Sequence, residues 1–472
     1  MTFGCSNLKV LGQRMLLRNG LTHDVRHIEM ESPSHIKVFF CNSRSSNLKL
    51  LIKIGNLTNL VYLDLNTNQI SGTIPSQIGS LVKLQILRIF DNYLNSSIPE
   101  EIGYLRSLTK LSLGWNFLNG SIPPSLGKLN NLTLLNLYEN QLSGSVPEEI
   151  GYLRCLTELD LSTNFLNGSI PASLGNLNNL SYLYLYENHL SGCIPAEIGK
   201  LANLVAVYLE KKPINRSHPS IELFGPIPAE IGKMRSFQNL SLFSNNLSGP
   251  IPKTIGDLTK LKLLDLYATQ LSGPIPSELG NLKNLNDLEL SNNQLTGSIP
   301  SSFGNLRNLQ TLFLGNNNLT DEIALSFCNL TSLTLLYLLK NNLKGKILKC
   351  LGNISGLQYV IMSHNNLSGE LPSSICNLTS LQVLDLGRNN LMGAIPQCFG
   401  NMSRHLEVLD LQHNNLFGTL PTTFCIGSAL KSFNLHGNKL EGKIPRSLKN
   451  CKELQVVDLG DNLLNDTFPM WL

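Results

Sequence analysis

Asparagine recurs every 24 residues along most of this chain, and that period constrains the fold more than any other feature. The ladder runs Asn68, Asn92, Asn116, Asn140, Asn164 and Asn188, then resumes at Asn245, Asn293, Asn317, Asn341, Asn365, Asn389, Asn414, Asn438 and Asn462. Lys212 and Thr269 stand on the two missing rungs, so we count seventeen repeats from about residue 51 to the end. A representative unit is LTNLVYLDLNTNQISGTIPSQIGS. Its first half, with Leu63, Leu65 and Asn68, alternates with period two, the mark of a short strand buried on one face. The asparagine then points inward, where its amide can donate to and accept from backbone groups of adjacent turns. Gly72 bends the chain, Pro75 stops helix formation, and Ile74, Ile78, Leu81 and Leu84 refill the core.

A unit of this size cannot bury both its faces, so neighbours must stack. The expected fold is an α/β repeat: a curved, superhelical solenoid with one short parallel strand per repeat on the concave face and an irregular or 3-10 convex side. Sixteen steps of about 4.8 Å make a strand-lined spine roughly 77 Å long. Hydrophobic residues are 42% of the chain and charged ones 15%, enough apolar material for such a core and too little charge for disorder.

The unit is identified as a leucine-rich repeat, and its SGxIP-like segments at 71–75, 143–147, 191–195 and 248–252 resemble the plant extracellular subclass. The stretches IPEEIGYLRSLTKLSLGWNFLNGSIPPSLGKLNNL (98–132) and LEVLDLQHNNLFGTLP (406–421) look most like plant receptor-like proteins and receptor kinases of immunity and development. The resemblance implies a leucine-rich-repeat ectodomain at the extracellular face of the plasma membrane. Its expected ligand is a peptide, protein or small molecule held on the concave side, and its expected partner is a co-receptor kinase. A secreted leucine-rich-repeat inhibitor of a cell-wall hydrolase is the alternative, against which the repeat count argues; a truncated, non-signalling fragment is a third.

The ends depart from that family. Residues 1–50 form an atypical segment with only Cys5 and Cys41, no cysteine cap, and apolar runs broken by Lys9, Gln13, Arg14 and Arg18 where a signal peptide would be continuous. The chain stops part-way through the repeat of Asn462, so we expect an incomplete product or gene model. A further nine residues, more than the repeat requires, lie near 212–228 and read as a protruding loop or a splicing error. No stretch is apolar and long enough for a membrane helix. Residues 1–55 hold eight Lys or Arg against three Asp or Glu, so the net +4 leaves the remainder near −1 and gives no case for nucleic-acid binding. Kinase motifs are absent, so any kinase would lie outside this chain and no enzyme activity is expected of it.

Residues six, four, two and one before each ladder asparagine should face outward. That count puts Tyr138, Tyr182, Tyr184, Tyr186, Tyr208, Phe243 and Tyr267 on the concave surface, with Phe90 and Trp115 upstream and Phe313 and Tyr337 downstream. An isolated tyrosine there is best read as cross-strand packing; a cluster is better read as a contact surface. The position one before the rung reads Asp91, Glu139, Glu187 early and Lys340, His364, Arg388, His413 later. The basic column suits a carboxylate, and its histidines would charge in a mildly acidic exterior, although a solvated face is the simpler reading.

Ten cysteines with no CxxC and no Cys/His spacing argue against a metal site, and no cofactor is implied. Cys328 with Cys350 and Cys376 with Cys398 repeat one offset from successive rungs and are candidate disulfides, whose alternative is small buried thiols. Cys451 fits a reduced core role and Cys425 is unassigned. Sixteen N-x-S/T sequons occur, including Asn56, Asn131, Asn179, Asn246, Asn318, Asn366 and Asn377 as possible glycosylation sites. The repeat consensus generates such sequons by itself, and Asn239 would lie on the concave strand.

Overall fold

In a computed structural model the described residues are 55–210, 222–402, 404–424, 428–467 and 469–470, with the backbone of two strands, His27–Ser32 and His35–Phe39. The chain forms two compact units, Met1–Phe224 and Gly225–Leu472, whose boundary falls inside the irregular segment at 212–228. Most of that segment, including Lys212, lies outside the described residues, as do Cys5, Cys41 and Cys425.

In the first unit the strands Tyr62–Asp64, Ile86–Arg88, Lys110–Ser112, Leu134–Asn136, Glu158–Asp160, Tyr182–Tyr184 and Ala206–Tyr208 pair in parallel, each one repeat ahead of its neighbour. His35–Phe39 pairs in parallel with Tyr62–Asp64 and antiparallel with His27–Ser32, so the sheet extends into the segment the sequence left outside the repeats. The second unit repeats the pattern from Asn239–Ser241 to Val456–Asp458. In each unit the middle residue of the three, such as Leu63, Leu159, Leu288 or Leu384, is buried and its two neighbours face the other way.

Each rung asparagine ties two repeats together. Asn116 Nδ2 donates to Ile89 O of the preceding repeat at 2.9 Å and to its own Leu113 O and Gly114 O at 3.2 and 3.1 Å, while its Oδ1 accepts from Leu94 N at 3.0 Å. Asn164, Asn317, Asn365 and Asn389 make the same contacts. Buried strand ends are thereby supplied with partners that water cannot provide. Thr269 has only a hydroxyl for this task, shared between Leu266 O and Asn293 Oδ1.

A second ladder, not anticipated from the sequence, sits on the opposite face. Asp64, Asp160, Asp265, Asp385, Asp410 and Asp458, each four residues before its rung, accept the backbone N–H two residues on at 3.0–3.1 Å. Such Asx turns steer the chain out of the strand. The residue one before the rung then takes a left-handed backbone, with φ of 51° at Trp115, 52° at Thr163, 51° at Lys340 and 53° at Arg388. The outward display of this position is thus a property of the turn, and the strand alternation ends before it.

Beyond the rung the SGxIP segment forms further parallel sheets where the sequence suggested only a bend. Ser71–Gly72, Tyr93–Ser97, Phe117–Gly120, Gln141–Ser145, Phe165–Ser169 and His189–Ser191 make a six-stranded sheet in the first unit, and the second unit has equivalents such as Gln294–Ser298 and Asn415–Thr419. A proline then leads into a five-residue 3-10 turn, as Pro75 does for Ser76–Ser80. These turns stack closely: a Cβ on Gly127 would stand 2.4 Å from Glu149 O of the next turn. At the same position Cys328 and Cys376 replace glycine, and the close approach becomes a bond, Cys328 to Cys350 and Cys376 to Cys398, with Cα separations of 5.5 and 6.0 Å. Cys451 is buried in the core.

Candidate ligand-binding faces

The first unit carries Tyr138, Tyr182, Tyr184, Tyr186 and Tyr208; the second carries Phe243, Tyr267, Lys340, His364, Arg388 and His413. In the first unit the parallel register sets Tyr184 beside Tyr208 and Tyr182 beside Ala206. The rings of Tyr184 and Tyr208 stack at 5.5 Å, and those of Tyr182 and Tyr184 at 6.2 Å with an interplanar angle of 5°. The small Ala206 leaves Tyr182 exposed, while Tyr184, Tyr186 and Tyr208 are half-buried.

Acidic residues border these rings. Glu158 and Asp160 lie in register with Tyr182 and Tyr184 on the adjacent strand, and Glu187 and Glu210 follow at the strand ends. Burial, reinforced by Glu158 and by the neighbouring rings and Asp160, pushes the Tyr184 hydroxyl up to about 12. Burial also raises Tyr138 and Tyr186. These phenols therefore stay protonated and can donate hydrogen bonds at any ordinary pH. Asp160 is raised by burial against the hydrogen bonds from Ser162.

A second aromatic group in this unit joins Phe90, Trp115 and Tyr138, with ring centroids 5.9–6.3 Å apart. Gly114 makes it possible, since a Cβ there would meet the Tyr138 ring at 2.8 Å. The second unit uses the same device: Phe313 and Tyr337 are paired at 5.7 Å across Gly315, where a Cβ would meet the Tyr337 ring at 2.3 Å. The sequence signal for such a pair is a glycine two before the rung beside an aromatic repeat, a pattern that the outward-facing offsets alone do not reveal. Among the described residues Phe243 and Tyr267 belong to no ring pair; Phe243 is half-buried and Tyr267 exposed.

Lys340, His364 and Arg388 are exposed along one edge of the second unit, each on the left-handed position, and none is in an ion pair among the described residues. His413 is half-buried, its ring 5.0 Å from that of His436 and over Gly437. The His364 imidazole is held below its usual range by desolvation and by the charges of Arg388 and Lys340, so it resists the protonation that a mildly acidic exterior was expected to bring. Between the aromatic pair and the start of this unit, Asp265 and Glu289 lie on adjacent strands, and burial raises Glu289 to about 7.

The seven candidate glycosylation asparagines, Asn56, Asn131, Asn179, Asn246, Asn318, Asn366 and Asn377, are all exposed, whereas Asn239 is half-buried. Among the described residues no cluster of His, Cys, Asp and Glu could hold a metal ion, and no helix is long and apolar enough to cross a membrane.

Stacked strand–turn repeats bearing such variable outward rows define a solenoid scaffold for binding. The chain belongs to the leucine-rich-repeat family: family profiles described as leucine rich repeat match 59–81, 107–129, 131–153, 155–177, 179–201, 236–258, 260–282, 356–378 and 380–402, and, in a second profile, 283–343 and 404–464. Solved structures agree. The Arabidopsis receptor kinase HAESA, in complex with the peptide hormone IDA and the co-receptor SERK1, is 32% identical with a TM-score of 0.78, covering 89% of this chain and 72% of HAESA's. A TDR receptor is 29% identical with a TM-score of 0.77, covering 89% and 79%. The PEPR1–AtPEP1 structure gives 32% and 0.70, covering 92% and 68%. No curated protein sequence matches the chain.

Proposed function

We propose that this chain is the ligand-binding ectodomain of a plant cell-surface receptor-like protein, which takes a peptide or protein on its strand faces and signals in defence or development through a partner kinase. The observation that carries the reading is the Tyr182–Tyr184–Tyr208 stack, a rigid surface of three neighbouring rings, of the kind that dominates binding energy at interfaces. Glu158 and Asp160 lie in register beside it and Glu187 and Glu210 follow at the strand ends, with no Lys or Arg on the same strands, so the preferred segment is basic and carries an apolar side chain. The basic column of the second unit suits an acidic group or a terminal carboxylate. Two disulfides fit an oxidising, extracellular setting. The complex of HAESA with the peptide hormone IDA supports the same class of ligand.

The test is a binding screen of the secreted full chain against synthetic plant secreted peptides, followed by the triple variant Tyr182→Ala, Tyr184→Ala, Tyr208→Ala. Removing a stacked aromatic hot spot should weaken the selected peptide by about 30-fold or more. A folded triple variant that binds as tightly as the parent refutes the placement, and a panel with no binder refutes the peptide reading.

A further inference from the structure

The six-stranded lateral sheet of the first unit has a feature that the ligand-binding reading does not use. Tyr93, Phe117 and Phe165 open three of its strands and remain 52%, 46% and 52% exposed. Each is followed two residues later, on the same face of its strand, by an exposed asparagine: Asn95, Asn119 and Asn167. Each asparagine heads a sequon, Asn95-Ser96-Ser97, Asn119-Gly120-Ser121 and Asn167-Gly168-Ser169, whose serine is also exposed. The repeats with Gln69, Gln141 and His189 directly after the rung carry Ser71, Ser143 and Ser191 at that third place. Aromatic ring and sequon thus occur together or not at all in this sheet. In the second unit no described repeat carries an aromatic ring directly after the rung, and the matching asparagine occurs once, as Asn465 of the sequon Asn465-Asp466-Thr467, beside the aliphatic Leu463.

The local geometry is the same at all three sites. The middle residue of each sequon has a positive φ, 78° at Ser96 and 73° at Gly120 and Gly168, so the chain turns there with the asparagine amide held beside the ring. Asn95 lies in register with Phe117, whose ring stacks on that of Tyr93 at 6.0 Å, so Asn95 neighbours one ring along its own strand and the other across the sheet. Asn167 lies in register with His189, which stacks on Phe165 at 5.9 Å. Among the described residues none of these three side-chain amides is hydrogen-bonded within the protein. At Asn131 and Asn179 the nitrogen that a glycan would occupy already donates to Arg106 O and Arg154 O. No Lys, Arg, Asp or Glu lies on strands 71–72, 93–97, 117–120, 141–145, 165–169 or 189–191, so this face suits a neutral cover.

We infer that Asn95, Asn119 and Asn167 carry N-linked glycans whose first sugar packs its C–H face on Tyr93, Phe117 and Phe165, covering the exposed aromatic row. In the transfer the amide nitrogen bonds to C1 of the first N-acetylglucosamine of a lipid-linked oligosaccharide diphosphate. The C1–O bond to the diphosphate breaks, the nitrogen loses one proton, and the lipid diphosphate leaves. The ring shields the sugar's apolar face from water, and the sugar does the same for the ring. The inference rests on the cell-surface reading for exposure to that donor.

The experiment places the full chain behind an export signal in plant cells, which delivers it to the donor whatever its native address. Deglycosylation in oxygen-18 water then marks each occupied asparagine. We expect Asn95, Asn119 and Asn167 to be marked, with occupancy at Asn119 and Asn167 falling at least two-fold in Phe117→Ala and Phe165→Ala respectively while Asn318 is unchanged. Deglycosylation should lower Tm by about 2–4 °C more in the parent than in these variants. Unmarked Asn95, Asn119 and Asn167, or occupancy and Tm that ignore loss of the rings, overturn the inference. A failed peptide screen leaves this outcome untouched, so the two proposals fail separately.

Discussion

Replacing Asn317 by alanine isolates the work of one rung. Asn317 Nδ2 donates to Leu290 O at 3.0 Å, Leu314 O at 3.1 Å and Gly315 O at 3.2 Å, and its Oδ1 accepts from Leu295 N at 3.0 Å. The damage is uneven. Leu290 O keeps Asn293 as a donor, Leu314 O keeps Asn341, and Gly315 O keeps Asn292 N. The Leu295 N–H, by contrast, is left buried without its acceptor. One orphaned buried donor costs about 1–3 kcal/mol, and the amide's two N–H groups, shared among the three carbonyls, about 1 kcal/mol each, so the loss should be about 3–5 kcal/mol. Repeats share stability with their neighbours, so the loss is best read locally, as hydrogen-exchange protection of peptides spanning 288–300, alongside urea unfolding. The adjacent exposed Asn318→Ala should stay within about 0.5 kcal/mol. A loss at Asn317 below about 1 kcal/mol would show that the rung is decoration and refute the ladder as the source of repeat cohesion.

Other outcomes follow from the same geometry. Thr269→Asn restores the missing amide and should stabilise the chain by about 1 kcal/mol, raising Tm by about 2–4 °C in a thermal melt. Gly127→Ala places a methyl against Glu149 O and should cost about 1–3 kcal/mol by denaturant unfolding. Glu289 is raised from 4.5 to about 7 by burial, so the folded chain holds this proton more tightly than the unfolded one. Its stabilising contribution is complete below pH 4.5 and disappears as pH rises through about 7. Parallel pH series of Tm should lose that component of the slope in Glu289→Gln, and an unchanged slope would refute the shift.

The parts of this fold that sequence exposed are those where residue type and position are locked together. Leu63 and Leu65 can only be buried on one face of a strand, and Asn116 is a residue whose amide meets four backbone groups at once. The left-handed position was illegible because it is filled by Trp115, Thr163, Lys340 and Arg388, residue types that carry no signal for that backbone; at Thr163 and Arg388 the cost is met by the turns that Asp160 and Asp385 fix. The lateral sheets were hidden because segments such as Gln141–Ser145 are short, polar and interrupted by a positive-φ glycine, features that read equally as a loop. On the candidate face, the outward tyrosines could be named from their offsets. Which of them touch depended on Ala206 and Gly114, small residues whose meaning lies in the neighbouring strand.

The bonds Cys328–Cys350 and Cys376–Cys398 also change how the second unit responds to force. A chain pulled from its ends pays out each repeat as extended polymer, but a segment enclosed by a covalent crosslink cannot lengthen. Each bond encloses a 22-residue separation, which at about 3.4 Å per residue withholds about 75 Å of extension. Under tension this unit would stop short by about 150 Å when oxidised and recover that length when reduced.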